Sequence, residues 1–578
     1  MIDPLNDLNE LVRRGVEQAF GPRDPALEIS VRRSEHADYQ VDVALGLARQ
    51  LKRNPREVAA GIIASLDSAH ILAGAAVSGP GFINLTCRSE YLAAQLGRMH
   101  DDARLGVEPA RSPQTVIVDY SSPNLAKEMH VGHLRSTVIG DCLARTLEFL
   151  GHNVLRQNHI GDWGTPFGML IEQMLDEGVT TGRGDVNALS VFYRAARVKF
   201  DADPTFAERA RNRVVLLQRG DPATLELWRR LIDVTAEYID ALYRRLHIKL
   251  GRQDMAGESR YNPQLPAIVS ELERRGIARI SDGAVCVFLP EFLGRDGKPL
   301  PLIVRKQDGA FGYATTDLAA LKHRVETIGA HRIVYVVGAP QSQHFAMVFA
   351  TARLAGWVSP AVRLEHVAFG SVLGEDGKVL KTRTGEAVTL ATLVEEAVTR
   401  AKAIVDGGSS ELTEDERASI AESVGIGSVK YADLANDRIR DYIFSWNRML
   451  AFDGNTAPYL MYAHARIRSM LRKAQASRTD LTLAAEHIRI DAPTERALAL
   501  ELLEFPATLL KVGEILHPHR LCQHLFQVAT SFTRFYDACP VLNADATARA
   551  SRLVLCSITA GVLKRGMDLL GIQAPLKM

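Results

Sequence analysis

The sequence predicts a multidomain α/β protein: a small N-terminal α/β domain, a doubly wound parallel-sheet domain with a helical insertion, and an all-α C-terminal bundle. Three observations predict it. The chain has 578 residues, more than a single hydrophobic core organises. A β-branched run, TVIVDYS at 115–121, leads into a stretch of helical periodicity and then a second strand-like run, NVLRQNHIGD, which is the β–α–β signature of a parallel sheet. Beyond about residue 430 only helical periodicity remains.

The elements follow in order. PLNDLNELVRRGVEQAF spaces its Leu, Val and Phe as a helix does. LEISVRRS and AVSGPGFINLTC read as strands, the second broken by a Gly-Pro-Gly turn. DVALGLARQLKRNPREVAAGIIASL reads as two helices split at Pro55. ARSPQ is a linker, so the first domain is set at 1–110 and the second at 111–428. Residues 132–150 form the crossover helix, stopped by Gly151. Residues of about 167–248 read as a helical insertion. AVCVFLP…KPLPLIVRKQDGAFGYATTDLAAL is a hairpin running into a helix, and RIVYVVG with QSQHFAMVFATARLAG is a further strand–helix pair. DGGSSELTEDE marks a surface break, and 429–578 is the third domain.

Composition limits the functional classes. The net charge is +1, so the chain as a whole is no polycation. The C-terminal domain leans basic, with charge gathered in HARIRSMLRK and RASR, a pattern open to nucleic acid or to plain solvation. MIDPLNDLNE lacks a signal-peptide core, and no uninterrupted apolar window of membrane-spanning length occurs. The six cysteines form no CxxC pair. That reads as a reducing, cytoplasmic setting with no membrane and no bound structural metal.

The chemistry is concentrated in PNLAKEMHVGH, 123–133, where a strand hands over to a helix. A helix N-terminus at the carboxyl edge of a parallel sheet attracts anions. His130 and His133 add two N–H donors there, and Lys127 adds a full charge, a set suited to a nucleotide triphosphate attacked at its α-phosphate. Zinc binding through His-x-x-His and simple helix capping are the other readings of these residues.

DYSSPNLAKEMHVGHLRSTVIGD resembles the HIGH signature of class I aminoacyl-tRNA synthetases in the form seen in the arginyl-tRNA synthetase family, bacterial type. NHIGDWGTPFGMLI, GYATTDLAAL, HVAFGSVLGEDGKVLKTRTGE and FSWNRMLAFDGNTAPYLMYAHARIRSMLRKA resemble that family in the same order, over essentially the whole chain. The resemblance implies a Rossmann-type catalytic domain, an appended N-terminal tRNA-contacting domain and a C-terminal anticodon-binding bundle. It implies ligation of L-arginine to tRNA(Arg), with ATP as its Mg2+ complex, through an arginyl-adenylate, releasing pyrophosphate and AMP. The attacking carboxylate is already ionised, so no general base is required. Another class I specificity, or an HxGH adenylyltransferase that needs no tRNA, is the alternative.

By the same resemblance, Pro123, Asn124, Lys127, His130, Gly132 and His133 contact ATP, with His130, His133 and Lys127 catalytic. Class I enzymes usually carry KMSKS, whose last lysine binds pyrophosphate. Here the loop reads KVLKTRTGE with Thr384 in that place, and Lys127 is expected to substitute, beside Lys378, Lys381 and Arg383. A guanidinium needs a carboxylate and welcomes an aromatic face. Tyr313 and Asp317, four apart, supply both. Asp119, Ser121, Asn124, His133 and Gln341 are expected to complete the arginine pocket. Tyr462, His464, Arg466, Arg468 and Tyr536 are the candidate tRNA contacts. The family is commonly monomeric and generally needs tRNA for amino-acid activation; both are expected here.

Overall fold

The computed structural model describes residues 2–22, 29–125, 128–178, 186–294, 297–378, 380, 388–407, 412–476 and 485–578. Near the N-terminus four antiparallel strands, β1 (Arg32–Arg33), β2 (Tyr39–Val41), β3 (Leu72–Ser78) and β4 (Phe82–Cys87), lie in the order β1-β2-β4-β3. Three helices, Pro4–Phe20, Val43–Leu51 and Pro55–Ala64, cover one face and bury Leu8, Val12, Leu47 and Ile62 against Tyr39, Ile83 and Leu85. The split at Pro55 is a cap: Asn54 is extended and its side chain accepts from Arg56 N–H at 2.9 Å. The strand expected at LEISVRRS is only two residues long, and 23–28 lie outside the described residues.

The second sheet is parallel, in the order β11-β10-β5-β6, with β5 Thr115–Asp119, β6 Asn153–Gln157, β10 Arg332–Tyr335 and β11 Arg363–His366. Val116, Ile117 and Val118 are fully buried, which is why β5 reads as a continuous apolar run. β5 pairs with β6 on one side and with β10 on the other, so the winding direction reverses beside it. A crevice opens at such a switch point beyond the strands' carboxyl ends, here past Asp119 and Tyr335. An antiparallel sheet, β7 (Ala278–Ser281), β8 (Ala284–Leu293) and β9 (Pro299–Arg305), stands before the helix Tyr313–Glu326 and contains the expected hairpin.

Among the described residues, the helices Thr165–Glu177, Val186–Ala202, Pro204–Arg219 and Pro222–Arg245 occupy the expected insertion after β6, and a further helix, Leu265–Arg274, precedes β7. Pro204–Arg219 and Pro222–Arg245 each open on a proline behind a capping aspartate, Asp203 and Asp221. Trp228 Nε1 donates to Asp162 O at 2.7 Å and fixes this layer to the loop after β6.

The remaining chain is helical apart from β13 (Tyr442–Ile443), which pairs in parallel with β12 (Val372–Leu373). β12 lies in HVAFGSVLGEDGKVLKTRTGE, which reads as a strand running into a polar loop, whereas β13 lies in the stretch that reads as all helical. The helix Ala546–Leu569 is long and apolar enough to cross a membrane by composition, but Leu553, Val554, Leu555, Val562 and Leu563 are buried in the bundle core. Ion pairs join the parts. Arg135 reaches Asp433 at 3.1 Å with both side chains buried, and Arg496 Nε donates to Asp38 Oδ1 at 2.9 Å. All six cysteines are buried and unbridged.

Candidate active site

The loop after β5 is strained and heavily tied. Ser121 and Ser122 both have positive φ, 73° and 46°, which costs non-glycine residues of order 1–3 kcal/mol each. Ser121 N–H donates to Ser136 Oγ at 2.8 Å and Ser122 N–H to Asn158 Oδ1 at 2.9 Å. Ser121 Oγ meets Thr137 Oγ1 and Tyr243 OH, the latter on the helix Pro222–Arg245. Pro123 O accepts from Gly161 N–H, and Leu125 N–H returns a bond to Gly161 O, so Asn124 sits in a short parallel bridge.

The helix Val131–Phe149 then begins on a reciprocal cap made by two imidazoles. His130 Nδ1 accepts from Gly132 N–H at 3.0 Å, and His133 Nδ1 accepts from His130 N–H at 3.1 Å. With both Nδ1 atoms acting as acceptors, each neutral ring carries its proton on Nε2. Burial, then His130, pushes His133 down to about 3, so that ring is neutral at physiological pH. The rings lie 4.0 Å apart. A Cβ on Gly132 would stand 2.7 Å from the His130 ring, so the motif requires glycine there.

A cleft of about 250 Å3 opens against this cap, lined by His130, Gly132, Arg135, Gly338, Phe369 and Gly370 among others. Its far wall is tied to the near one: Val131 N–H donates to Val388 O and Leu390 N–H to Met129 O. A larger cleft of about 330 Å3 lies among Tyr431, Phe444, Arg448 and Asn455 and shares no lining residue with it. Of the two imidazoles of the cap, His130 lines the smaller cleft, and neither lines the larger one.

Beside it lies an acidic pocket. Tyr313 opens the helix Tyr313–Glu326 and is 74% exposed. One turn on, Asp317 is 16% exposed, its Oδ2 2.6 Å from His344 Nε2 and its Oδ1 3.8 Å from His159 Nε2. Glu258 is pushed up to about 8 by burial and by the carboxylates of Asp162 and Asp317. Asp162 accepts from Ser259 N–H at 2.9 Å and Ser259 Oγ–H at 2.6 Å. Three carboxyl groups therefore converge near one exposed tyrosine face. His344 lies four residues beyond Pro340, which lines the cleft, on the helix Ser342–Leu354.

The other expected residues are placed as follows. Asp119 is buried, and its Oδ2 accepts from Arg324 at 2.7 Å. With Ser121 also buried and bonded, the open face of the pocket is made by Tyr313, Asp317 and Glu258. Gln341 is exposed at the start of the helix Ser342–Leu354. Lys378 is exposed on a turn closed by Gly374 N–H to Lys378 O. Lys127, Lys381, Arg383 and Thr384 lie outside the described residues. Tyr462 is 45% exposed, Arg468 is exposed, and the Arg466 guanidinium lies 4.1 Å from the Tyr536 ring centre. His464 is corrected: it is 1% exposed with its Nδ1 3.0 Å from Pro575 O, a core residue out of reach of RNA. Glu258, His159 and His344 were missed. His344 stands in QSQHF, three residues after Gln341, and a second polar residue there was the available signal.

Comparison with known proteins decides the family. Residues 98–446 match the family described as tRNA synthetases class I (R), catalytic domain; residues 460–578 match the DALR anticodon binding domain; residues 6–87 match the arginyl tRNA synthetase N terminal domain. The chain belongs to the arginyl-tRNA synthetase family. It is 52% identical to the arginine–tRNA ligase of Thermobifida fusca (strain YX) over 100% of both chains. It is 49% identical to that of Laribacter hongkongensis (strain HLHK9) over 97% of each. The crystal structure of arginyl-tRNA synthetase from Plasmodium falciparum superposes with a TM-score of 0.86 at 28% identity, covering 99% of each chain. The Thermus thermophilus arginyl-tRNA synthetase gives 0.79 at 26%, covering 99% of this chain and 100% of that one.

Proposed function

We propose that this chain, an arginine–tRNA ligase, runs both steps of its reaction in the cleft between the imidazole cap and the acidic pocket. ATP enters as its Mg2+ complex, with the adenosine against Gly338, Phe369 and Gly370. Its α-phosphate lies at the two Nε2–H donors of His130 and His133. The guanidinium of L-arginine pairs with Asp317 and Glu258 and stacks on Tyr313, while Asn124 and Gln341 hold the amino-acid end. The arginine carboxylate attacks the α-phosphorus, the bond to the bridging oxygen breaks, and pyrophosphate leaves with the charge of that oxygen. Lys127, Lys378, Lys381 and Arg383 are its proposed partners. A tRNA(Arg) ribose hydroxyl then attacks the arginyl carbonyl, AMP departs, and the hydroxyl proton passes to solvent. The imidazoles act as fixed dipoles that need no reorganisation when charge develops on phosphate.

The observation that carries this reading is the short connection between the two: Asp317 contacts His344, whose helix begins two residues after Pro340 on the nucleotide cleft. One arginyl-adenylate then spans both. Specificity follows from charge. A site of buried carboxylates rejects an uncharged analogue, because the carboxylates lose their partner.

The tRNA is read by Tyr462, Arg466, Arg468 and Tyr536 through stacking and phosphate contacts. The chain acts as a cytoplasmic monomer. Pyrophosphate exchange measured with each standard amino acid, with and without tRNA, tests the proposal. Exchange with arginine alone, dependent on tRNA, is expected. Equal exchange without tRNA refutes the dependence, and exchange with another amino acid refutes the pocket.

A further inference from the structure

A second group of buried polar atoms lies far from the reaction, where the N-terminal sheet meets the C-terminal helices. Arg33 of β1 faces two carboxylates, with Nη2 3.6 Å from Glu501 Oε1 and Nε 3.0 Å from Glu504 Oε1. One guanidinium against two half-buried carboxylates neutralises at most one of them. The imidazole of His524, on the helix His519–Ala538, is 3% exposed, and its Nε2 has no hydrogen-bond partner. Glu501 Oε2 is likewise buried without a hydrogen bond, as is the hydroxyl of Tyr39 on β2. Glu504 and Arg33 both act electrostatically on that hydroxyl, so it belongs to the same neighbourhood. Buried polar atoms without a partner are few in native structures, and each calls for an explanation.

We propose that Glu501, Glu504 and His524 bind a divalent transition-metal ion of the zinc class, with Tyr39 OH at its edge. One ligand atom from each of the three lies within 4.8 Å of the others. The spacing Glu-x-x-Glu puts both carboxylates on one side of a helical turn, and the imidazole comes from the helix packed across from it. Two carboxylates and a nitrogen are a common zinc donor set, whereas magnesium and calcium take oxygen alone. A divalent ion also supplies the positive charge that Arg33 leaves wanting. A proton shared directly between His524 and a glutamate would place donor and acceptor in hydrogen-bond contact, and no such bond is present.

A second candidate, Asp437 with His517 and His519, has the same donor types. There none of the three side chains is fully buried, whereas His524 is, so that cluster is the poorer cation site. The sequence held no signal for the Glu501 site. Its ligands come from separate helices, and the expectation of no metal rested on the lack of a short Cys or His spacing. The ion would clasp the C-terminal helices beside β1 and β2.

The test uses the full chain stripped with EDTA, then titrated with ZnCl2 at constant Mg2+ by calorimetry, with thermal unfolding in parallel. One saturable site and a higher Tm are expected. Glu504→Gln and His524→Gln should each weaken binding by about tenfold or more, while His517→Ala leaves it unchanged. Absence of saturable binding overturns the proposal. So does loss of binding in His517→Ala, or unchanged binding in His524→Gln. Should a variant fail to fold, Co2+ bound to the wild-type chain decides. A low-coordinate d–d spectrum without thiolate charge transfer supports the site, and a thiolate band or a hexa-aqua spectrum refutes it.

Discussion

Glu258 makes arginine binding pH-dependent in a way that can be measured. Burial beside Asp162 and Asp317 holds its carboxyl at about 8 against an ordinary 4.5. At pH 7 it is protonated in the empty pocket, and ionising it costs about 1.4 kcal/mol, one unit at 1.36 kcal/mol. A guanidinium seated against Asp317 reverses the field that raised it, so arginine binding should expel close to one proton. The arginine Kd should then fall by up to about tenfold per pH unit between roughly 6 and 8 and level off above. Calorimetry in two buffers of different ionisation enthalpy reads the proton directly. Glu258→Gln should abolish both the release and the slope while preserving the fold. In the free protein the sign is opposite. The raised folded value makes Glu258 stabilising below about 4.5, and that contribution is lost as pH rises through 8. An arginine Kd in wild type that is flat from pH 6 to 8 with no proton released would refute the placement of Glu258 in the pocket.

Asp317→Asn should cost about 3 kcal/mol of arginine binding, roughly a hundredfold in kcat/KM, and leave the ATP KM unchanged in pyrophosphate exchange. His133 is held at about 3, so single-turnover adenylation should show no ionisation of this ring between pH 5 and 8. Its stability contribution is present above 6.5 and lost as pH falls toward 3, which urea titrations across that range would register. Arg135→Ala strands Asp433 and should destabilise by about 3–5 kcal/mol, whereas Arg135→Met with Asp433→Leu should recover most of it in chemical denaturation. Tyr462→Ala should raise the tRNA KM while leaving adenylation at saturating tRNA unchanged, whereas His464→Ala should lower Tm and leave the tRNA KM alone.

The parts of the fold that were legible are those whose burial leaves a local signature. β5 was readable because it is buried on both faces, and the HVGH helix because a cap, a periodic run and Gly151 agree. The two-residue strand β13 has no periodicity to read, and LEISVRRS gave only Arg32–Arg33 as strand. His464 was legible but misread. Leu460, Met461, His464, Ile467 and Leu471 fall at helical spacing, and a histidine on that stripe belongs to the core. Glu258 could not be found locally. It lies in a 3-10 turn some sixty residues before Asp317 in sequence, and only packing brings the two carboxyl groups together.

The link between Asp119 and Arg324 anchors one end of the helix Tyr313–Glu326, and the bonds of Thr315 to Val304 O and of Asp317 to His344 anchor the other. Arg324 bonds Gln157 as well, so the C-terminal turn is clamped to the tips of two strands while Tyr313, eleven residues away, stands in solvent. A rod pinned at both ends keeps its place, so the Tyr313 ring can meet an arriving guanidinium by turning about its own side-chain bonds, with no movement of the backbone.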